Sequence, residues 1–457
     1  MNGAPQTLPL TAAAAATAAG QMAQTAQTVQ TGQTVQTAPT DPTAHAAAHQ
    51  AAASAARRCY GRLLSWLAWQ WRDVAAAEDA LASALEKALA LWPEQGVPAA
   101  PDAWLLAVAR RALLQAARRQ RLHDSPQVQA LLEAEPRHGD TPALPDSRLK
   151  LLFVCAHPAI DAAVRPALML QVVLGLDAQR IAQAMLTSPA AMAQRLVRAK
   201  QKIRDAGLRF DEPGPDELPD RLHAVLEAIY AAYGLGWDAC EASDSGPAEG
   251  EEARVQGLRS EALFLADLVC SLLPADAGRA EAEGLLALIL LCDARGPARR
   301  GAGGQFIALA DQDTALWQRP MIEQANRLLH NSARWGAPGP FQLEAAIQAA
   351  HCDRLFTGST PWPGIVALYR RLITLAPSLG AEVAHAVACA QAGDLAHAAA
   401  LLDALHHPRL ATYQPYWVAT AHVARLRGQA DNAAAALQRA IGLTTSPALR
   451  AHLQQQL

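Results

Sequence analysis

The stretch Leu170–Arg204 reads LQVVLGLDAQRIAQAMLTSPAAMAQRLVRAKQKIR, and two apolar rows within it decide the fold. From Asp177 to Leu186, Ile181 and Met185 stand four residues apart, a spacing that puts them on one face of a helix. A second helix repeats the device with Met192, Leu196, Ala199 and Ile203. Between the two runs Leu186-Thr187-Ser188-Pro189. A hydroxyl residue caps a helix start, and proline suits the first turn, where its missing N–H has no intrahelical partner to lose. The pattern predicts a helix-turn-helix with its second helix exposed.

The chemistry of that helix follows from what it turns outward. Arg195, Arg198 and Lys202 fall at i, i+3 and i+7 opposite the apolar row, with Lys200 and Arg204 on the flanks and Asp205 the one acid nearby. Five cations with so few carboxylates gain little from ion pairs along the helix, whereas phosphates would neutralise them and release counterions. DNA is the expected partner. The plainer reading is a solvated basic face.

Length and charge frame the rest. A chain of 457 residues is long enough for two to four domains. Its formal net charge of −3 means that any nucleic-acid footprint is local. Cations do gather in the first half: between Arg57 and Leu122 there are ten Lys and Arg against six Asp and Glu, and between Arg165 and Arg209 eight against two. The seven cysteines are scattered, odd in number and form no C-x-x-C pair, which fits a reduced compartment. Cys155 and His157 in FVCAHP have the look of half a metal site, but without a second pair at ligand spacing the core reading is preferred. No apolar run reaches membrane length and the N-terminus lacks a basic leader region, so a soluble cytoplasmic protein is expected.

Residues 1–52 form a low-complexity Ala/Thr/Gln-rich tail, with QTAQTVQTGQTVQT from Gln24 to Thr37. It cannot bury enough apolar surface to offset the entropy of ordering and is expected to be disordered. Helical periodicity begins near Ala55. Cys59, Leu63, Leu64 and Leu67 mark one core face, and Leu81, Leu85, Leu89 and Trp92 a second. A third helix from Asp102 to Leu122 sets Trp104, Leu105, Val108 and Ala112 inside and Arg110, Arg111, Arg118, Arg119 and Arg121 outside. Two basic-faced modules joined by a proline-containing linker, His123 to Asp146, suggest a bipartite grip on nucleic acid.

Three segments, AEDALASALEKALALWPEQGVPAAPDAWLLAVARRALLQAARR, LLFVCAHPAI and RIAQAMLTSPAAMAQRLVRAKQKI, followed by LADQDTALWQRPMI, together resemble the bacterial extracytoplasmic-function sigma factors. More narrowly, they resemble the group with a long C-terminal tetratricopeptide-like extension. The resemblance covers roughly residues 55–457. It implies an all-α chain: a sigma region 2-like bundle over 53–122, a linker over 123–147, a region 4-like helix-turn-helix over 148–210 and a helical extension over 211–457. It also implies partners, namely core RNA polymerase (its β′ clamp helices and β flap) and promoter DNA. Carried over residue by residue, Glu78, Asp79, Ser83 and Glu86 would bind polymerase, while Arg110, Arg111, Gln115, Arg118 and Arg119 would meet the −10 element. In the recognition helix Ala190, Ala191, Gln194 and Arg195 would face −35 base edges, Arg198, Lys200 and Lys202 would hold phosphates, and Ser188 would belong to the same DNA-binding set. The sequence departs from the family's usual residues at Leu113–Ala117, at Ala191-Met192 and at Tyr233–Trp237.

The extension is alanine-rich, and its end repeats: the segment around Gly393 answers that around Gly428, 35 residues on. That period is close to a tetratricopeptide repeat, whose stacked helix pairs make a concave surface. A protein partner or an intramolecular contact is expected there. Asp311, Asp313 and Arg319, and His351, Cys352 and Asp353, form small polar clusters without a nucleophile elbow, a phosphate-binding loop or metal-ligand spacing. No catalytic residue, metal, cofactor or membrane contact is expected. The expectation is a sigma-type transcription initiation factor regulated by its extension. The alternatives are an interaction scaffold with a degenerate sigma-like half, or a stand-alone helix-turn-helix DNA-binding regulator.

Overall fold

The computed structural model describes residues 42–119, 146–185, 187–208, 210–211, 213–214, 216–242, 251–274, 277–301, 303–336 and 338–457. Among them the chain is all-α, its only β feature an isolated bridge between Arg300 and Phe306. The first forty-one residues of the expected tail and nearly all of the expected linker fall outside the described residues. No described helix is long and apolar enough to cross a membrane. The chain divides into two compact units, Met1–Ala228 and Ile229–Leu457.

The first unit starts with α1 (Pro42–Trp71), α2 (Val74–Gln95) and α3 (Pro101–Arg119). Helix α1 begins within the stretch expected to be a disordered tail. The reason is local: from Ala44 the sequence is dominated by alanine, the best helix former, and Ala52 is already buried. Asp73 caps α2 by accepting from the Ala76 N–H at 3.1 Å. Four shorter helices follow: α4 (Arg148–Cys155), α5 (Arg165–Leu174), α6 (Ala178–Ala184) and α7 (Pro189–Asp205). Helices α4 and α5 pack on α1, and α7 packs on α2, so the helix-turn-helix shares one core with the front bundle. Gly175 ends α5 at φ +71, and a Cβ there would lie 2.8 Å from the Tyr60 ring of α1. Only glycine serves both the left-handed turn and the close approach.

Helix α8 (Leu218–Ala242) contains the boundary between the units. Its Arg221 donates to the Phe153 carbonyl at 2.7 Å in the first unit. The second unit continues with α9 (Glu251–Leu272) and α10 (Ala277–Ala294). Asp293 of α10 accepts from the Tyr233 hydroxyl at 2.7 Å and pairs with Arg259, so three helices meet at one carboxylate. After a loop of 3-10 turns come α11 (Arg319–Ser332) and α12 (Pro340–Cys352). The cap residue of α12 is Gly339, which has no side chain to give. Glu281 of α10 takes its place, accepting from the Phe341 and Gln342 N–H groups at 3.1 Å each. A carboxylate there also complements the helix dipole.

The chain then runs through α13 (Arg354–Thr357), α14 (Trp362–Leu375), α15 (Leu379–Gln391), α16 (Leu395–Asp403), α17 (Gln414–Leu426), α18 (Ala430–Leu443) and α19 (Pro447–Gln454). The pairs α15/α16 and α17/α18 repeat one turn. Gly393 at φ +97 and Gly428 at φ +72 donate to Ala390 and Arg425, and the following Asp394 and Gln429 N–H groups reach back to Cys389 and Ala424. The 35-residue period is thus a repeat of backbone geometry as well as of sequence. Small buried residues, Ala386, Ala390, Ala398 and Ala419, line the contact between the pairs.

Candidate functional site

Helix α6 is opened by Asp177, whose carboxylate accepts from the Arg180 N–H at 2.8 Å. The turn closes through Thr187 N–H to the Ala182 carbonyl, and Ser188 caps α7 by accepting from the Ala191 N–H at 3.2 Å with Pro189 in the first turn. The apolar row Met192, Leu196, Ala199 and Ile203 is buried as its spacing requires. Opposite it, Ser188, Ala190, Gln194, Arg195, Arg198 and Lys202 are exposed, and Ala191 is half-buried. Val197, which the sequence reading passed over, stands in the same exposed surface at 52%. Arg204 is turned aside: it pairs with Asp73 at 3.3 Å and donates to Gln201.

Lys200 departs from the expected phosphate-holding set. Its Nζ lies 2.5 Å from Glu78 Oε2, and both side chains are about 5% exposed or less. Glu78, expected to bind polymerase, is covered by the same contact. The cause is register. Lys200 follows Leu196 by four residues and so lies toward the buried side of α7, where α2 meets it. Burial pushes the Glu78 carboxyl up from its ordinary value, with Lys200 opposing. Tyr60 and Cys155 lie near enough for the Glu78 charge to add to the rise that burial gives their own groups. As the chain is folded, Glu78 and Lys200 face each other and not solvent.

The remaining residues singled out on α2 lie outside this contact. Asp79 and Glu86 are exposed and Ser83 is half-buried; desolvation holds the Asp79 carboxyl above its usual range despite Lys200. On α3, Arg111 and Gln115 are exposed, and Arg110 is half-buried with its guanidinium 5.6 Å from the Trp66 ring. Arg118 and Arg119 belong to the last turn of α3, and their side chains lie outside the described residues. Trp92 and Trp104 stack edge to face at 5.5 Å, a packing contact.

The polar clusters of the second unit have structural occupations. Asp313 caps a 3-10 turn through the Ala315 N–H, and Arg319 pairs with Glu323. Arg354, which sequence reasoning missed, donates to the Ala310 and Gln312 carbonyls at 2.7 Å each and lies over Trp317. It ties down the loop before α11. His351 packs against Trp362; burial first, then Arg295 and Arg354, lower its pKa to about 4. Cys155 is fully buried, and among the described residues no group of three or more His, Cys, Asp or Glu lies together to hold a metal.

Residues 221–333, which span α8 to α11, match a family of unknown function (DUF6596). The chain is 36% identical over 411 residues to an uncharacterized protein of Rhizobium meliloti, the match covering 88% of this chain and 93% of the relative. No solved structure matches.

Proposed function

We propose, from the premise that the chain belongs to the same family as the Rhizobium meliloti protein, that it is a DNA-binding transcription initiation factor of the sigma type. In this reading it brings core RNA polymerase to promoters in the cytoplasm, and its tetratricopeptide-like C-terminal half regulates it. The observation that carries the reading is the outward face of α7. Arg195, Arg198 and Lys202 stand exposed beside Gln194, on a helix whose start is capped and whose other face is buried. Cations so placed hold phosphates, and Gln194 and Arg195, near the helix start, sit where side chains reach base edges. Asp79 and Glu86 on α2 remain available to polymerase. The reading assigns the chain no chemical step, catalytic residue or cofactor.

Two measurements test it. The full chain should co-purify with core polymerase at micromolar concentration; no complex would sink the sigma reading. In duplex titrations, Arg198→Gln and Lys202→Gln should weaken binding to all sequences and each reduce the slope of log affinity against log salt by about 1. Gln194→Ala and Arg195→Gln should instead change which duplex is preferred. Identical behaviour of all four would refute the division into reading and anchoring residues. A second reading, an interaction scaffold whose sigma-like half no longer initiates, is favoured by the burial of Glu78 against Lys200. Polymerase binding without any specific start in vitro would select it.

A further inference from the structure

The repeated helix pairs leave an open groove of about 480 Å³ between α16, α17 and α18. Its floor is apolar, with Leu402, Val423 and Ala436 buried beneath it. Its walls carry Arg427 and Arg439, both exposed, with Gln429 and Asn432 alongside. Arg439 lies 4.5 Å from the centre of the Trp417 ring, so an aromatic face holds one guanidinium in place. Among the described residues neither arginine has a carboxylate partner, and the one acid in the lining is Asp403, exposed.

We propose that this groove binds an extended acidic peptide segment of a partner protein, with its carboxylates on Arg427 and Arg439. The proposal deepens the reading of the C-terminal half as a regulatory contact, and it stands on the groove alone, whatever α7 binds. Unpaired guanidiniums take carboxylates through paired N–H donors. Gln429 and Asn432 offer both donors and acceptors, which suits a peptide backbone. The alanine-rich floor has room for small side chains, and the volume falls within the ~300–1,000 Å³ usual for ligand sites. A polynucleotide fits less well. Two cations make a thin electrostatic track, and Asp403 would repel a continuous phosphate chain.

The test uses the full chain and a fluorescein-labelled, acetyl-capped octapeptide of alternating alanine and glutamate, beside its glutamine counterpart, in anisotropy titrations at low salt. The glutamate peptide should bind at least about tenfold more tightly than the glutamine one. Arg427→Gln and Arg439→Gln should each weaken it about tenfold, and Arg409→Gln, outside the groove, should leave it unchanged. Asp403→Asn should strengthen binding about threefold, a gain that misfolding cannot produce. Duplex-DNA affinity should be the same in all four variants. Equal binding of the two peptides, no binding of either, or no effect of the arginine changes would overturn the proposal. So would free glutamate, or a single-stranded oligothymidylate, competing as well as the peptide does: the first would mark a small-anion site, the second a nucleic-acid site.

Discussion

Glu78 and Lys200 remove each other from water, and the energetics of such a pair are lopsided. Desolvating two charges consumes most of their mutual attraction, yet removing one partner strands the other. Lys200→Ala should therefore lower stability by about 3–5 kcal/mol in urea unfolding, while Lys200→Met combined with Glu78→Leu should stay near wild type. If the double variant were as unstable as the single, the pair would be contributing more than charge compensation. His351 offers a second residue-scale test. Its pKa falls from an ordinary 6.5 to about 4 in the folded chain, so between those values the unfolded chain binds a proton that the folded one does not. Stability should fall as pH drops from about 6.5 to about 4, by up to about 3 kcal/mol for this group. His157, His385 and His422 are also shifted down, by burial first, so their slope will remain in any variant. The difference between wild type and His351→Gln across that window isolates His351, and parallel curves would refute its role.

At the scale of the element, much could be read from spacing. The apolar row of α7 and the Ser188 cap are where period 3.6 and capping chemistry put them, Ile181 is buried in α6 while Met185 falls half-buried in the turn just past its end, and the 35-residue repeat around Gly393 and Gly428 is visible in both sequence and turn geometry. What spacing did not reveal was which flank of α7 a neighbour would cover. Lys200 and Arg204 flank the apolar row, and only the docking of α2 decides that one is sealed against Glu78 and the other reaches Asp73. Arg354 was illegible for a related reason: its partners are backbone carbonyls more than forty residues upstream, and carbonyls carry no sequence signature. The helical start at Pro42 has no sharp sequence mark, because its alanine-rich first turns follow directly on the Thr/Gln-rich repeat. Element packing also makes a prediction. Gly175 and Gly207 both sit at positive φ, but a Cβ at Gly175 would strike the Tyr60 ring, whereas at Gly207 it meets nothing within 4 Å. Gly207→Ala should cost only the backbone term, about 1 kcal/mol. Gly175→Ala should cost clearly more, about 3 kcal/mol once crowding between α1 and α5 is added. Equal melting shifts would mean that α1 and α5 yield to each other without penalty.

For the whole molecule, the place where the chain can be cut follows from the boundary between its units. The resemblance to the sigma family implies a front half that ends at 210, before the extension. The boundary between the two compact units falls at 228/229, inside α8. The first turns of α8 carry Leu222, Val225 and Leu226, each no more than 3% exposed, and Arg221 satisfies the Phe153 carbonyl. A chain ending at Phe210 loses all four. Burial of three such side chains is worth roughly 5 kcal/mol even after allowing for a compact unfolded state, which is comparable with the whole stability of a small domain. A version ending at Ala228 should therefore unfold cooperatively in urea, and one ending at Phe210 should unfold at a much lower midpoint or without a sharp transition. The distinction bears on function. Activity missing from the shorter version would report a damaged core and not an activating C-terminal half, so the sign of regulation has to be read from the version ending at Ala228 against the full chain. Equal midpoints for the two versions would return the boundary to 210 and make the shorter one the proper reference.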